Sequence, residues 1–415
     1  ADSDAIELSA VKGATNIAQT LEGRGSLTLS DAAYSAAKNG TFFSVIRTGT
    51  GSLDLLAGGS FTEATPYGVY TAGTQSAPIL ASDGSNPYDI VSQLATANGQ
   101  HAWYPEHGGD VLLQAGQDVR GHIQISDNSA RYVDSDLTSN WLWRQGGGGV
   151  NADPTAWWIN FGGQARTNPW GAGKSALIGF QGIGTLGGGN LTVIAGGDAG
   201  VRADGSSTTS SGLDLAVAST GRVLADGTLL QTGGGDLVLK VGGRLNGMPP
   251  SRYQSQASDY YGAITALRGD ITISTGAIGT FMENTAGRTW TSYDPRTLDA
   301  ATIKRAFPMP GPTVIPGDGT VSISARGDLV LGGAGDAGMT AAADQDGGVY
   351  TVSGPGGSAQ VRQGASTSFT LWRPDTAIRL YSAGGDAGAL TNSASNGTSN
   401  SNGFYPGTLS IVAAG

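Results

Sequence analysis

The chain has 415 residues, of which 69 are glycine and none is cysteine; 39% are hydrophobic and only 13% are charged. This glycine share is far above the usual ~7%, and with enough apolar residues for a core it indicates an ordered all-β protein. A net charge of −10 without basic runs excludes nucleic-acid binding, and the lack of cysteine excludes disulfides and thiolate chemistry. No apolar run is long enough to span a bilayer, and the start at Ala1 predicts a matured chain or a piece of a longer one.

A short unit recurs along the chain: glycine, a small polar residue, alternating apolar positions, then a second glycine or glycine pair. Its copies lie at 25–29, 51–59, 109–116, 189–197, 212–217, 235–243, 269–273, 319–323 and 407–411. The opening glycines of three central copies, at 189, 212 and 235, are each 23 residues apart. Alternation with period two predicts a strand with one buried face, and parallel stacking of such strands buries those faces. The sequence therefore predicts an all-β parallel β-helix that forms a single domain over residues 1–415.

Two other all-β folds fit the repeat less well. A propeller blade needs ~40–50 residues, and a sandwich favours Asn-Gly hairpins at shorter, regular spacing.

Long gaps between copies predict insertions that protrude from the stack, at approximately 62–107, 127–187, 246–267, 276–316 and 333–406. Three segments have the start and stop signals of short helices, at 29–40, 86–94 and 294–307. Residues 392–402 consist almost entirely of Asn, Ser, Gly and Thr, which predicts an exposed loop.

The sequence offers little catalytic or metal-binding chemistry. His101, His107 and His122 lack metal-ligand spacing, and no nucleophile elbow or Walker loop occurs. Gly-Asp fragments at 332–336 and 384–386 are too isolated for a calcium β-roll and are typical of corners. Arg-Gly-Asp occurs at 268–270 and 326–328; each copy runs straight into an apolar strand, which favours a corner over an integrin-type attachment loop. We expect no catalytic residue, no metal and no cofactor.

Tryptophan is locally enriched. Five of the eight lie within one predicted insertion: Trp141, Trp143, Trp157, Trp158 and Trp170. Aromatic faces stack on sugar rings, so these residues are candidates for a carbohydrate-binding platform. The alternative is that they anchor the insertion on the coil, because tryptophan buries a large apolar area.

The repeat unit resembles that of the filamentous haemagglutinin family, most closely at 189–200, 235–245 and 325–331. This resemblance implies a right-handed parallel β-helix, secreted by a Gram-negative bacterium through an outer-membrane β-barrel partner. The family's N-P-N-G-type secretion motif is not found, so we expect a repeat or distal segment.

By this resemblance we expect a secreted or cell-surface exoprotein, not an enzyme, with an adhesive or structural scaffold role. Expected partners are a host or neighbouring-cell surface, a matrix polysaccharide, or further copies stacked end to end as a filament. The alternative from another class is a carbohydrate-binding β-helix protein or a polysaccharide lyase or hydrolase.

Overall fold

The structure, a computed structural model, describes residues 19–30, 46–64, 68–75, 89–91, 100–101, 105–121, 134–137, 140–145, 155–160, 163–167, 176–177, 182–200, 213–223, 229–246, 263–279, 311–335, 349–354, 357–362, 372–389 and 405–414. In chain order its strands are β1 (Gln19–Gly23), β2 (Leu27–Ser30), β3 (Ile46–Thr48), β4 (Leu53–Ala57), β5 (Phe61–Ala64), β6 (Val69–Thr71), β7 (Thr74–Gln75), β8 (Asp89–Val91), β9 (Gln100–His101), β10 (Pro105–Glu106), β11 (Val111–Ala115), β12 (Val119–Arg120), β13 (Asp134–Leu137), β14 (Asn140–Gln145), β15 (Thr155–Asn160), β16 (Gly163–Thr167), β17 (Ala176–Leu177), β18 (Ile183–Thr185), β19 (Leu191–Ala195), β20 (Ala199–Gly200), β21 (Asp214–Val217), β22 (Ser219–Val223), β23 (Leu229–Gly233), β24 (Leu237–Asn246), β25 (Ala263–Ala266), β26 (Ile271–Ile278), β27 (Thr313–Pro316), β28 (Val321–Ala325), β29 (Leu329–Leu331), β30 (Gly333–Ala334), β31 (Val349–Gly354), β32 (Gly357–Arg362), β33 (Ala377–Ser382), β34 (Ala387–Ala389) and β35 (Thr408–Ala413).

Most of these strands stack in parallel into one column with three sides, which confirms the predicted parallel β-helix. Sheet 1 contains β1, β4, β11, β19, β24, β26, β28, β33 and β35. Sheet 2 contains β2, β5, β12 and β20, the ends of β24 and β26, and β29 and β34. Sheet 3 contains β3, β6, β18, β21, β25, β27 and β30. One coil consists of consecutive strands of sheets 1, 2 and 3. The described residues form nine coils, of which the eighth has no described sheet 3 strand and the ninth is described by its sheet 1 strand alone.

The core is built from in-register rows of aliphatic side chains. In sheet 1, Leu53 pairs with Val111, which pairs with Leu191, and the row continues through Leu237 and Ile271. Each of these side chains is at most 1% exposed. Because side chains alternate along a strand, every second residue of the repeat enters the column and the others face outward. Stacking thus buries an apolar face that a single five-residue strand could not shield.

Glycine is required at the corners because successive coils approach closely there. Gly269 has φ +117, and a Cβ at this position would overlap the carbonyl oxygen of Gly235 in the preceding coil. The same overlap recurs at the corner between sheets 1 and 2, where a Cβ on Gly196 would meet the carbonyl oxygen of Gly116. The recurrent glycines of the repeat therefore form two columns along the stack, in which the backbone of each coil contacts that of the next.

Insertions leave the column at two of its three corners. The sheet 1 to sheet 2 corner stays tight in every described coil, whereas longer segments leave between sheets 2 and 3 and between sheets 3 and 1. The middle of sheet 3 is buried on both faces, since every residue of β18, β21 and β27 is buried. Sheet 1 instead alternates between buried positions and positions open to solvent, as in β11 and β28.

Antiparallel strands, and no helix, form the described parts of the insertions. The prediction of a helix at 86–94 is wrong at Asp89–Val91, which form β8 and pair with β9 and β31. Strand pairing with a distant insertion overrides the local helix signal there. The predicted helix at 29–40 begins inside β2, and its remaining residues lie outside the described part of the chain. The predicted helix at 294–307 and the predicted loop at 392–402 also lie outside it.

Several coil strands lie inside the ranges assigned to insertions. β6, β18, β25, β27 and β34 fall within 62–107, 127–187, 246–267, 276–316 and 333–406, respectively, and the sheet 1 strand β33 also lies within 333–406. β6, β18, β25, β27 and β33 lack the glycine-polar opening of the repeat unit, so the repeat pattern does not reveal them. The single-domain division of the chain stays a prediction.

Candidate functional site

Three of the five candidate tryptophans share one face of an antiparallel hairpin. β14 pairs with β15 so that Trp143 lies opposite Trp157 and Trp141 lies opposite Ile159. Because positions alternate between faces along a strand, positions 141, 143 and 157 fall on the same face. Trp158, opposite Leu142, falls on the other face, and Trp170 lies outside the described residues.

A second insertion completes the sheet that carries these tryptophans. β22 and β23 pair with β15 in the order β14-β15-β22-β23, and Arg222 lies opposite Trp157. One row across the sheet is therefore Trp143, Trp157, Arg222 and Leu230. We call this four-stranded unit the aromatic sheet. Sequence reasoning missed Arg222 because β22 belongs to a different coil, and only strand pairing brings it to this row.

The outer face of sheet 1 is the longest continuous surface of the column. Its outward positions form two columns that run along the stack, with successive strands ~4.8 Å apart. Charges on it are separated along its length: Glu22 and Asp54 lie in the first two coils, whereas Lys240 and Arg379 lie in the fifth and eighth. Lys240, Arg379 and Tyr381 are exposed. The repeat shows which residues face outward, but only the register shows which of them are neighbours.

Both Arg-Gly-Asp tripeptides lie at corners of the column, as their flanking strands predicted. The Asp270 carboxylate accepts a hydrogen bond from the backbone N–H of Thr320 at 2.7 Å. In the second copy, Asp328 accepts from the backbone N–H of Asp386 at 3.2 Å. Each carboxylate thus holds the next coil, while Arg268 and Arg326 are exposed beside it.

Two acidic side chains are buried, and the sequence analysis identified neither. Glu63 occupies an inward position of β5, opposite Leu29, and is 0% exposed; Asp214, at the start of β21, is 7% exposed. Burial raises the pKa of Glu63 well above its usual value, and the nearby Asp214 carboxylate raises it further.

Of the histidines, His107 is exposed with φ 58, His101 ends β9, and His122 lies outside the described residues. Across the described ranges no group of three His, Asp or Glu residues is placed to hold a metal ion. The same ranges contain no helix long and apolar enough to cross a membrane.

Comparison with known proteins does not assign the chain to a family. No family model, curated protein or solved structure matches it. The filamentous haemagglutinin relationship stays an inference from the repeat unit.

Proposed function

We propose that the protein is a secreted or cell-surface adhesin or structural scaffold without catalytic activity. The observation that carries this proposal is the outer face of sheet 1, which extends over nine parallel strands. At the corner between sheets 1 and 2 no insertion interrupts it. An extended array of this kind suits a ligand that is itself extended, such as a polymer or a cell surface.

The position of the buried acids argues against glycosidic cleavage by them. A glycosidase needs a general acid and a second carboxylate that both reach the bond in a groove. Burial raises the pKa of Glu63, as a general acid would require, yet Glu63 and Asp214 are buried, at 0% and 7% exposure. Neither side chain is accessible to a polysaccharide.

The aromatic sheet favours a second function, carbohydrate binding. Trp143 and Trp157 are cross-strand neighbours, and Arg222 continues the row. Adjacent aromatic positions suit stacking on consecutive sugar rings, and an arginine beside them suits a polar or acidic substituent. Replacing Trp143 and Trp157 with alanine should then abolish glycan binding, whereas Trp158→Ala, on the opposite face, should preserve it.

The proposal includes secretion by a Gram-negative bacterium through an outer-membrane β-barrel partner, and this part rests on the family resemblance alone.

End-to-end self-association has separate support. Leu409 and Ile411 of β35 occupy inward rows of sheet 1, yet they are 40% and 43% exposed because β33 is the one described strand beside them. An exposed parallel edge with apolar rows is a template for a further strand.

The proposed function is tested by displaying the chain on a non-adherent bacterium and measuring attachment to polysaccharide-coated surfaces and to other cells. Attachment should rise above that of cells displaying an unrelated β-rich protein of similar size. Unchanged attachment, with the displayed chain shown to be folded by protease resistance, would overturn the proposal.

A further inference from the structure

The outer face of sheet 1 carries a hydroxyl-rich segment between coils five and eight. One outward column contains Lys240, Ser274, Ser324 and Tyr381 in successive register. The neighbouring column contains Thr272, Ser322 and Arg379 in coils six to eight and Val238 in coil five. We call these residues, without Val238, the hydroxyl strip.

The strip is open to solvent, and its polar groups have unused hydrogen-bonding capacity. Thr272, Ser274 and Ser324 are exposed, and Tyr381 is 48% exposed. The hydroxyls of Ser274 and Ser324 lie 3.1 Å apart, so neighbouring strands are linked across the surface. The Ser324 hydroxyl also donates to the backbone carbonyl of Ile273 at 3.4 Å. A hydroxyl is one donor and two acceptors, so acceptor capacity on both serines remains for a ligand.

The charges on the strip favour an anionic ligand. Lys240 and Arg379 stand at its two ends, three strands apart, or roughly 14 Å at the ~4.8 Å spacing of strands. The outward positions between them carry hydroxyls and no carboxylate. The acids at the adjacent corner, Asp236 and Asp270, each use one carboxylate oxygen to accept a backbone N–H of the next coil.

We propose that the hydroxyl strip binds a linear anionic polysaccharide, a chain that carries carboxylate groups at regular intervals. This proposal rests on the proposed adhesive function and names its ligand class. The hydroxyl rows hydrogen-bond successive sugars, Lys240 and Arg379 pair with carboxylates, and the exposed ring of Tyr381 supports one sugar face. A nucleic acid fits less well, because its binding depends on many phosphate contacts and the strip has two cations.

The test is binding of the purified whole chain to polygalacturonate, with dextran as the neutral polymer and single-stranded DNA as a second polyanion. Polygalacturonate should bind, and its affinity should fall as salt rises; dextran and DNA should bind weakly. Lys240→Gln and Arg379→Gln should each weaken polygalacturonate binding about threefold to tenfold. Arg24→Gln, the same loss of charge at an exposed corner of the first coil, should leave it unchanged.

Two further variants separate the hydroxyl and ring contributions from charge. Combined Ser274→Ala and Ser324→Ala should lower affinity without changing its salt dependence. Tyr381→Phe should bind like the wild type, whereas Tyr381→Ala should bind more weakly. All of these positions are exposed, so folding should be unaffected and is checked by circular dichroism.

Three results would each refute the proposal that the strip binds an anionic polysaccharide. They are binding of dextran as tight as that of polygalacturonate, binding of DNA as tight or tighter, and wild-type affinity in Lys240→Gln and Arg379→Gln. The display assay separates this failure from failure of the proposed function. If the soluble chain binds polygalacturonate but displaying cells do not attach, the strip stands and the adhesive role falls. If displaying cells attach but the strip variants bind polygalacturonate like the wild type, the adhesive role stands and the proposed polysaccharide binding by the strip is refuted.

Discussion

The carboxylate of Asp236 accepts the backbone N–H of Asp270, which lies directly above it in the next coil, at 3.0 Å. The same bond recurs along this corner, because Asp110 accepts from Asn190 at 2.6 Å and Asn190 accepts from Asp236 at 2.9 Å. A parallel ladder of this kind joins Asp118, Asp198 and Arg244 at the corner between sheets 1 and 2. The small polar residue of the repeat thus links each coil to the next through a hydrogen bond.

Removing one ladder carboxylate should loosen two coils. We expect Asp236→Ala to lower the free energy of unfolding by about 1 kcal/mol, since the N–H of Asp270 loses its acceptor. Asp236→Asn should be close to neutral, because an asparagine already fills this role at position 190. Urea denaturation measures both, and equal stability of the alanine and wild-type proteins would refute this linking role.

The glycine column predicts a larger effect from a smaller substitution. Gly269→Ala should destabilise the protein by roughly 2–4 kcal/mol, since the added methyl group overlaps the carbonyl of Gly235 and φ is +117. Gly407→Ala is the matched control, because a Cβ there has no atom within 4 Å. Thermal unfolding should separate the two variants, and similar melting temperatures would show that the coils can move apart without cost.

Glu63 should make stability depend on pH. Its folded-state pKa is raised by burial and by Asp214, so the folded protein retains a proton that the unfolded chain loses above the usual carboxyl range. The folded state binds more protons, and the free energy of unfolding therefore falls as pH rises, by up to about 1.4 kcal/mol per pH unit, until the raised pKa is reached.

Glu63→Gln removes this titration and should flatten the stability profile above the usual carboxyl range. Glu63→Leu, which matches the Leu29 neighbour in the same row, should do the same if the larger apolar side chain packs. Asp214→Asn should make the decline end at lower pH, since it removes the second cause of the raised folded-state pKa and leaves the unfolded-state pKa unchanged. A profile unchanged by Glu63→Gln would contradict the assignment.

The exposed inward rows of β35 predict self-association that depends on one face of the strand. Ile411→Lys should reduce or abolish association, because it places a charge in the apolar row that a further strand would bury. Ser410→Lys adds the same charge to the outward face of the same strand and should have a much smaller effect. Sedimentation velocity and electron microscopy measure the outcome; a wild-type protein that stays monomeric at high concentration would remove self-association from the proposal.

The repeat determined the local structure and the kind of fold. Alternation at Leu237 and Leu239 marked the buried face, and the glycines at 235 and 269 marked corners, because both signals recur at fixed places in the short repeat unit. The same reasoning placed the Arg-Gly-Asp tripeptides at corners. It revealed the sheet 3 strand β21 in the copy at 212–217, but it did not reveal β18, β25 and β27 of the same sheet, which lie inside ranges assigned to insertions.

Which residues become neighbours across coils was decided by the tertiary structure alone. Ladder partners at one corner are 80, 46, 34 and 50 residues apart, since a different length of chain leaves as an insertion in each coil. The hydroxyl strip, the Trp157–Arg222 pairing and the Glu63–Asp214 pair all depend on that register. Local sequence controls the path of a single coil. Contacts between coils depend on the length of the insertion in each coil, and no short-range sequence pattern predicts that length.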